Sequence, residues 1–226
     1  MANSAIIVAG GSGRRFGTKK QFLDLLGTSV IERAVSCFDS HPLIDSIVVV
    51  VPDEDIQTTR GALKDIKKPL TITRGGHNRQ ESVWNGLQSA LKSDIVTIHD
   101  GVRPLVSRTL ISSVIEGVKD FDACIPGLAV SNTIKVVKGD IVVRTISRAN
   151  VYQIQTPQVF YTQTLIKAHE SAQAGRHDQF TDDSALIEAI GGRVRIVKGD
   201  PYNIKITLKE DLQTAEALLR CHTELE

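Results

Sequence analysis

Residues 5–22 read Ala5-Ile6-Ile7-Val8-Ala9-Gly10-Gly11-Ser12-Gly13-Arg14-Arg15-Phe16-Gly17-Thr18-Lys19-Lys20-Gln21-Phe22. An apolar, β-branched run of strand length comes first. Glycines follow, then four cations, Arg14, Arg15, Lys19 and Lys20, within seven residues. Glycines let backbone N–H groups close on an anion, and the cations neutralise its charge. A strand running into such a loop predicts a phosphate-binding turn at its carboxyl end. Two familiar phosphate motifs do not fit. The dinucleotide fingerprint G-x-G-x-x-G starts at Gly11 and Gly13 but meets Phe16 at its third glycine. The Walker pattern needs Lys and then Ser or Thr after its glycine, and Gly17 is followed by Thr18 and Lys19. The competing reading is a solvated turn carrying surface cations.

Outward from this loop the chain alternates strand and helix patterns. Ser29-Val30-Ile31-Glu32 has the form of a capping box, with Ile31, Ala34, Val35 and Phe38 at helical spacing. Ser46–Val51 is a continuous β-branched run closed by Pro52, which predicts a strand buried on both faces. Residues 53–64 read as an exposed amphipathic helix and 70–73 as a short strand. From Glu81 a helix is expected, with Val83, Leu87, Ala90 and Leu91 on one side. Residues 94–99 predict a strand ending in Asp100-Gly101-Val102-Arg103-Pro104, 107–118 a helix, and 122–125 another strand. This alternation predicts an α/β fold: one Rossmann-like, three-layer domain over residues 1–226 with a mostly parallel sheet. Ligands in such sheets sit beyond the carboxyl ends of the strands. The segments 10–20, 75–82 and 100–104 are therefore expected at one edge.

Residues 128–150 break the rhythm. Residues 133–137, then Lys138-Gly139-Asp140, then Ile141–Ile146 read as a protruding β-hairpin arm about a glycine turn. A lone hairpin is marginal in water, so the arm is expected to pack on a second copy of the chain. Gln155-Thr156-Pro157-Gln158 follows, then helices over Thr162–Ala174 and 182–190 and a strand over 193–198. An extended piece, Asn203-Ile204-Lys205-Ile206-Thr207, leads to a last helix reaching Leu219, capped by Thr207-Leu208-Lys209-Glu210.

The 226 residues, 41% hydrophobic and 23% charged, suit an ordinary soluble domain. A net charge of +1 makes the cations of 14–20 a local concentration and not part of a nucleic-acid face. Cys37, Cys124 and Cys221 are far apart and lack C-x-x-C spacing, so they read as reduced packing thiols. No apolar segment has membrane-spanning length, and strand-like sequence begins close to Met1. The expected location is the cytoplasm.

The 5–22 stretch resembles the signature of the sugar-phosphate nucleotidyltransferases, A-G-G-x-G-x-R followed by a lysine, here Lys20. Lys19 stands where that signature usually has proline, and the segment between Phe16 and Lys20 is short. Six later pieces resemble, in order, one branch of the family, the 2-C-methyl-D-erythritol 4-phosphate cytidylyltransferases. They are Gly75-Gly76 with Arg79 and Ser82, His99-Asp100-Gly101-Val102-Arg103-Pro104, Asn132-Thr133-Ile134-Lys135, Gln155-Thr156-Pro157-Gln158, Thr181-Asp182-Asp183 and Asn203-Ile204-Lys205-Ile206-Thr207. Asn132 stands where Asp is usual. The resemblance runs from Ile6 to about Ala217.

What it implies is transfer of CMP from CTP to methylerythritol phosphate, with Mg²⁺, in non-mevalonate isoprenoid synthesis. It implies Arg15 and Lys20 as transition-state stabilisers and Arg148 and Lys205 as the pair that positions the nucleophile. Thr133 and Arg103 become further sugar-phosphate contacts. CTP is expected on Ala9, Gly10, Gly11, Gly13, Gly75, Gly76, Arg79, Ser82, Asp100 and Gly101, its cytosine read around Gly75, Gly76 and Ser82. Asp100 is the candidate Mg²⁺ contact. The resemblance also implies a homodimer whose arm carries Thr133 and Arg148 into the partner's site.

The chemistry suits these residue types. A substrate phosphate oxygen is already anionic at neutral pH, so its attack on the α-phosphorus of CTP needs no protein base. Positioning and charge stabilisation are the task, which calls for Arg and Lys rather than a His–carboxylate pair. Each residue also has a structural reading. Asp100 can cap a turn, Arg103 can pair with a carboxylate, and Asp182 and Asp183 sit where a helix N-terminus favours acids. Trp84 reads as core or interface. Lys205 alternates with Ile204 and Ile206 and so points to the opposite face. His77 and His99 lack a second ligand at metal-binding spacing. Rival functions are a ribitol-5-phosphate cytidylyltransferase, an NAD(P)-binding oxidoreductase on the glycine loop, and a non-catalytic nucleotide-binding regulator. The missing third glycine and the dense cations count against the oxidoreductase. Asn132-Thr133-Ile134-Lys135 and Phe180-Thr181-Asp182-Asp183-Ser184 favour methylerythritol over ribitol.

Overall fold

The computed structural model describes residues 1–11, 19–175 and 180–223. In chain order β1 (Asn3–Val8) is followed by a 3₁₀ turn (Lys20–Phe22), α1 (Val30–Asp39), β2 (Ser46–Val51), α2 (Ile56–Ala62), β3 (Leu70–Arg74), α3 (Arg79–Gln88), β4 (Ile95–Asp100) and α4 (Arg108–Gly117). Then come β5 (Ala123–Ala129), β6 (Ile134–Lys138), β7 (Ile141–Ile146), β8 (Tyr152–Ile154), β9 (Gln158–Tyr161), α5 (Thr162–Ala174), α6 (Ser184–Ala189), β10 (Val194–Lys198) and α7 (Lys209–Thr223). The main sheet has the order β10-β5-β9-β4-β1-β2-β3, with β8 also paired to β5. Its strands are parallel except β8 and β9, and β9 lies antiparallel between β4 and β5. The mostly parallel α/β frame is as expected. The antiparallel strand at its centre is not visible in the periodicity, because Gln158–Tyr161 is too short to show an alternation.

Alternation within β1 and β2 builds a core on each face of the sheet. Ile6, Val8, Val48 and Val50 pack with Val83 and Leu87 of α3 and Leu165 of α5. Ala5, Ile7, Ile47, Val49 and Val51 pack with Ile31, Val35 and Phe38 of α1 and Leu110 and Ile111 of α4. Strands buried on both faces read as continuous apolar runs, and β1 and β2 do. Ser29 caps α1 through the Glu32 N–H, and Ser107 caps α4 through the Leu110 N–H at 3.2 Å.

Two local expectations are corrected and one is sharpened. Residues 53–64 form a 3₁₀ turn, Asp53–Asp55, leading into the shorter α2. Residues 203–207 pair with no strand. They run as an irregular segment tied to the β4–α4 turn, the Ile206 N–H donating to Val102 O at 2.9 Å. The acid that caps α7 is Asp211 and not Glu210: its Oδ2 accepts from the N–H groups of Thr207 (2.7 Å) and Leu208 (2.8 Å).

The arm, β6 and β7, forms a separate two-stranded sheet turning at Gly139, whose φ of 58° favours glycine. The register shifts between Val136, paired with Arg144, and Val137, paired with Val142, which leaves Val143 of β7 as the extra residue. The exposed apolar side chains are Val137, Ile141, Val142 and Val143, and Ile134 and Val136 are half-buried. Among the described residues no helix is long and apolar enough to cross a membrane.

Candidate active site

The ends of β1, β3 and β4 meet at one edge of the sheet, as the alternation predicts. The cleft beyond them, about 560 Å³, is lined by Ala9, Gly10, Gly11, Lys20, Gly76, Arg79, Ser82, Asp100 and Lys205, among others. Gly75 and Gly101 adjoin this lining in sequence. Gly13 and Arg15 lie outside the described residues.

The turn after β3 is shaped by the cap of α3. Asn78 Oδ1 accepts from the Glu81 N–H (2.8 Å), and Glu81 Oε2 accepts from the His77 N–H (2.8 Å). Asn followed three residues later by Glu is the readable signal. It places the helix start at Arg79, ahead of the expected Glu81. Ser82 Oγ accepts from the Gly76 N–H (3.0 Å) and donates to Asn78 O (2.8 Å). Its one proton is thus committed, and a lone pair remains. A Cβ on Gly76 would overlap the Glu81 side chain, so this turn admits only glycine there.

The turn after β4 is held from inside by His99. The Thr156 hydroxyl accepts from the Asp100 N–H (3.1 Å) and donates to His99 Nδ1 (3.0 Å), while His99 Nε2–H donates to Arg103 O (3.0 Å). Both ring nitrogens are thereby used, in the neutral form. Burial pushes the His99 pKa down to about 4. The Gly101 N–H donates to Val8 O at 2.8 Å, and a Cβ there would sit 2.9 Å from that of Ala9.

Residues 200–206 are fastened to this turn. Arg103 Nη1 donates to Asn203 O (2.8 Å), and Asn203 Nδ2 to Thr156 O (2.7 Å). Ile206 is buried and Ile204 half-buried, so Lys205 turns the other way and its Nζ reaches Asp100 Oδ2 at 2.8 Å. The face expected for Lys205 is the observed one, although the segment is not a strand.

Asp100 is the hub of the cleft. Its Oδ1 lies 3.3 Å from Arg79 Nε, and its Oδ2 lies 2.8 Å from Lys205 and 3.7 Å from Arg103 Nε. Burial favours the neutral acid, but Arg79, Lys205 and Arg103 outweigh it and hold the carboxyl well below the usual carboxylate range. Arg79 also pairs with Asp183, Nη1 to Oδ2 at 2.7 Å. Burial opposes the Arg79 charge, and the carboxylates of Asp183 and Asp100 override it and hold the pKa high. The two acids before α6 therefore differ in role. Asp182 is the cap, its Oδ1 accepting from the Ala185 N–H at 3.1 Å, whereas Asp183 is a buried ion-pair partner.

A second cavity, about 460 Å³, shares Arg79, Asp100 and Lys205 with the first and adds Arg103, Gln155, Thr156, Gln158, Thr181 and Asp182. Sequence reasoning did not assign Thr156, Gln158 or Thr181 to the site. The motifs Gln155–Gln158 and Thr181–Asp183 were the signal. Thr133 and Arg148 line neither cavity. Both are exposed on the arm, where Arg148 Nη1 donates to Ser131 O.

Comparison with known proteins agrees with this geometry. Residues 3–221 match the model of the family described as 2-C-methyl-D-erythritol 4-phosphate cytidylyltransferase. The protein of that name from Symbiobacterium thermophilum is 41% identical over 222 residues, 96% of this chain and 92% of that one. A bifunctional IspD/IspF enzyme from Bartonella bacilliformis is 39% identical over 97% of this chain, which spans only 57% of its length. The crystal structure of 4-diphosphocytidyl-2C-methyl-D-erythritol synthase from Anaerococcus prevotii superposes with a TM-score of 0.87 at 32% identity, covering 97% of this chain and 96% of that one. The chain belongs to the 2-C-methyl-D-erythritol 4-phosphate cytidylyltransferase family.

Proposed function

We propose that the chain transfers CMP from CTP to 2-C-methyl-D-erythritol 4-phosphate and releases pyrophosphate, in the cytoplasm, as a step of non-mevalonate isoprenoid synthesis. The observation that carries this is the meeting of two cavities at Arg79, Asp100 and Lys205. The first, with its glycines and Lys20, suits a nucleoside triphosphate, and the second, lined by Gln, Thr and Asp side chains, suits a polyol. The phosphate of the polyol then arrives at Lys205. One of its oxygens bonds to the α-phosphorus as the bond to the pyrophosphate oxygen breaks. Lys20, and Arg15 by resemblance, hold the charge of that five-coordinate phosphorus. Lys205 exchanges Asp100 for the incoming phosphate, and Asp100 stays balanced by Arg79 and Arg103.

Among the described residues Asp100 is the one carboxylate lining the first cavity, and no cluster of three or more His, Cys, Asp or Glu could hold a metal. That donor set suits Mg²⁺ carried by the triphosphate's own oxygens, with Asp100 as the single protein contact. Bound in this way, Mg²⁺ neutralises polyphosphate charge. Thr133 and Arg148 are proposed to serve the site of a second subunit, since in their own chain they line neither cavity. The test is pyrophosphate release from CTP, UTP, ATP and GTP, with methylerythritol phosphate and with ribitol 5-phosphate. CTP with methylerythritol phosphate should be the best pair. A purine nucleotide or ribitol 5-phosphate used best would overturn the assignment.

A further inference from the structure

Asp183 is 1% exposed, and its carboxylate does not cap α6. The cap belongs to Asp182. Burying a carboxylate is costly unless a partner compensates for lost water, and the side-chain partner of Asp183 is Arg79, 104 residues away. Burial pushes the Asp183 carboxyl above its ordinary value while Arg79 pulls against it. The four groups form a line of alternating charge: Asp183, Arg79, Asp100, Lys205. Within it Arg79 is nearer to Asp183 (2.7 Å) than to Asp100 (3.3 Å). This leaves the second Asp100 oxygen to Lys205 at 2.8 Å, with Arg103 Nε farther off at 3.7 Å.

We infer that Asp183 is a positioning residue for the transfer reaction: it holds Arg79 back from Asp100 and so sets where Lys205 stands at the junction of the two cavities. Without the Asp183 charge the guanidinium has one carboxylate left and closes on Asp100 with both arms of its fork. Lys205 is then displaced from the place where it meets the incoming phosphate. Asp183 itself lines neither cavity.

The inference rests on the proposed reaction, and its test has an arm that does not. Asp183→Asn keeps the shape of the side chain and removes its charge. In the first arm kcat/KM for methylerythritol phosphate is measured for Asp183→Asn, Lys205→Met and the double variant. The expected loss for Asp183→Asn is about 10- to 100-fold, the scale of an ångström-sized misplacement. The double variant should match Lys205→Met within about 2-fold, the usual additivity error. Losses that multiply would show a purely structural Asp183 and overturn the inference. In the second arm a crystal structure of Asp183→Asn should show Arg79 closed on Asp100 and Lys205 moved out of hydrogen-bonding distance. An unchanged Arg79–Asp100–Lys205 arrangement overturns the inference even if the wild type proves to use another polyol. Should Asp183→Asn not fold, Asp183→Ser, which also removes the charge, carries the same two measurements with the same expected outcomes.

Discussion

Around Asp100 the charged side chains Arg79, Arg103, Lys205 and Asp183 are paired with one another inside the chain. The arm is the opposite case, with Ile141 74% exposed and Val137, Val142 and Val143 more than half so. One region pairs its charges within a single chain, and the other holds apolar surface that a soluble monomer seldom leaves open. The site residues divide along the same line. Lys20, Arg79, Asp100 and Lys205 line the cleft, while Thr133 and Arg148 stand on the arm. We propose that the arm, which carries Thr133 and the cation Arg148, completes the cleft of a second copy of the chain.

The largest expected effect falls on the cleft. Lys20→Ala or Lys205→Ala should lower kcat by about 10²- to 10³-fold, as for removal of one transition-state donor. Because Lys205 is exposed and Asp100 keeps Arg79 and Arg103, the melting temperature should barely move. A folded variant with wild-type kcat removes that lysine from the site.

Next in size is a test that joins the two regions. Arg148→Ala chains mixed with Lys205→Ala chains restore one site in each mixed dimer. With random exchange activity should rise to about a quarter of the wild type. Exchange proven by mass or fluorescence labels, with activity still at the single-variant level, would put Arg148 outside the partner's site.

Charging the arm comes third. Ile141→Asp combined with Val143→Asp should give a monomer by sedimentation, with far-UV circular dichroism unchanged and turnover lowered about tenfold or more, since Arg148 is then absent from the site. A stable dimer in this variant would show that another surface makes the interface.

The smallest effect is on pH dependence. Burial holds His99 and His169 at about 4, below the ordinary 6.5 of histidine. Between those values the unfolded chain binds more protons than the folded one, so stability rises with pH. It is complete above about pH 6.5 and falls as the pH drops towards 4. Among the described residues His169 has no hydrogen-bond partner on either ring nitrogen, and it packs beside Trp84, ring centres 5.7 Å apart. His169→Phe should therefore lose less melting temperature between pH 7.5 and pH 5 than the wild type. Parallel losses in the two proteins would discount His169 as a contributor.

Much of the frame was legible in the chain because it rests on near neighbours. Continuous β-branched runs foretell β1 and β2, Ser29 and Ser107 foretell the starts of α1 and α4, and glycines after strands foretell which edge carries the cleft. The Arg- and Lys-rich composition of the site and the face of Lys205 were legible for the same reason, being set by residue type and alternation. Tertiary structure decided what depends on distant partners. It inserted β9 antiparallel between β4 and β5, and it turned the Ser82 proton to Asn78. It divided two adjacent acids into a helix cap, Asp182, and a buried partner for Arg79, Asp183. No periodicity relates residues 104 positions apart. Whether a carboxylate is solvated at a helix end or sealed against a guanidinium is settled only when the loops close over it and exclude water.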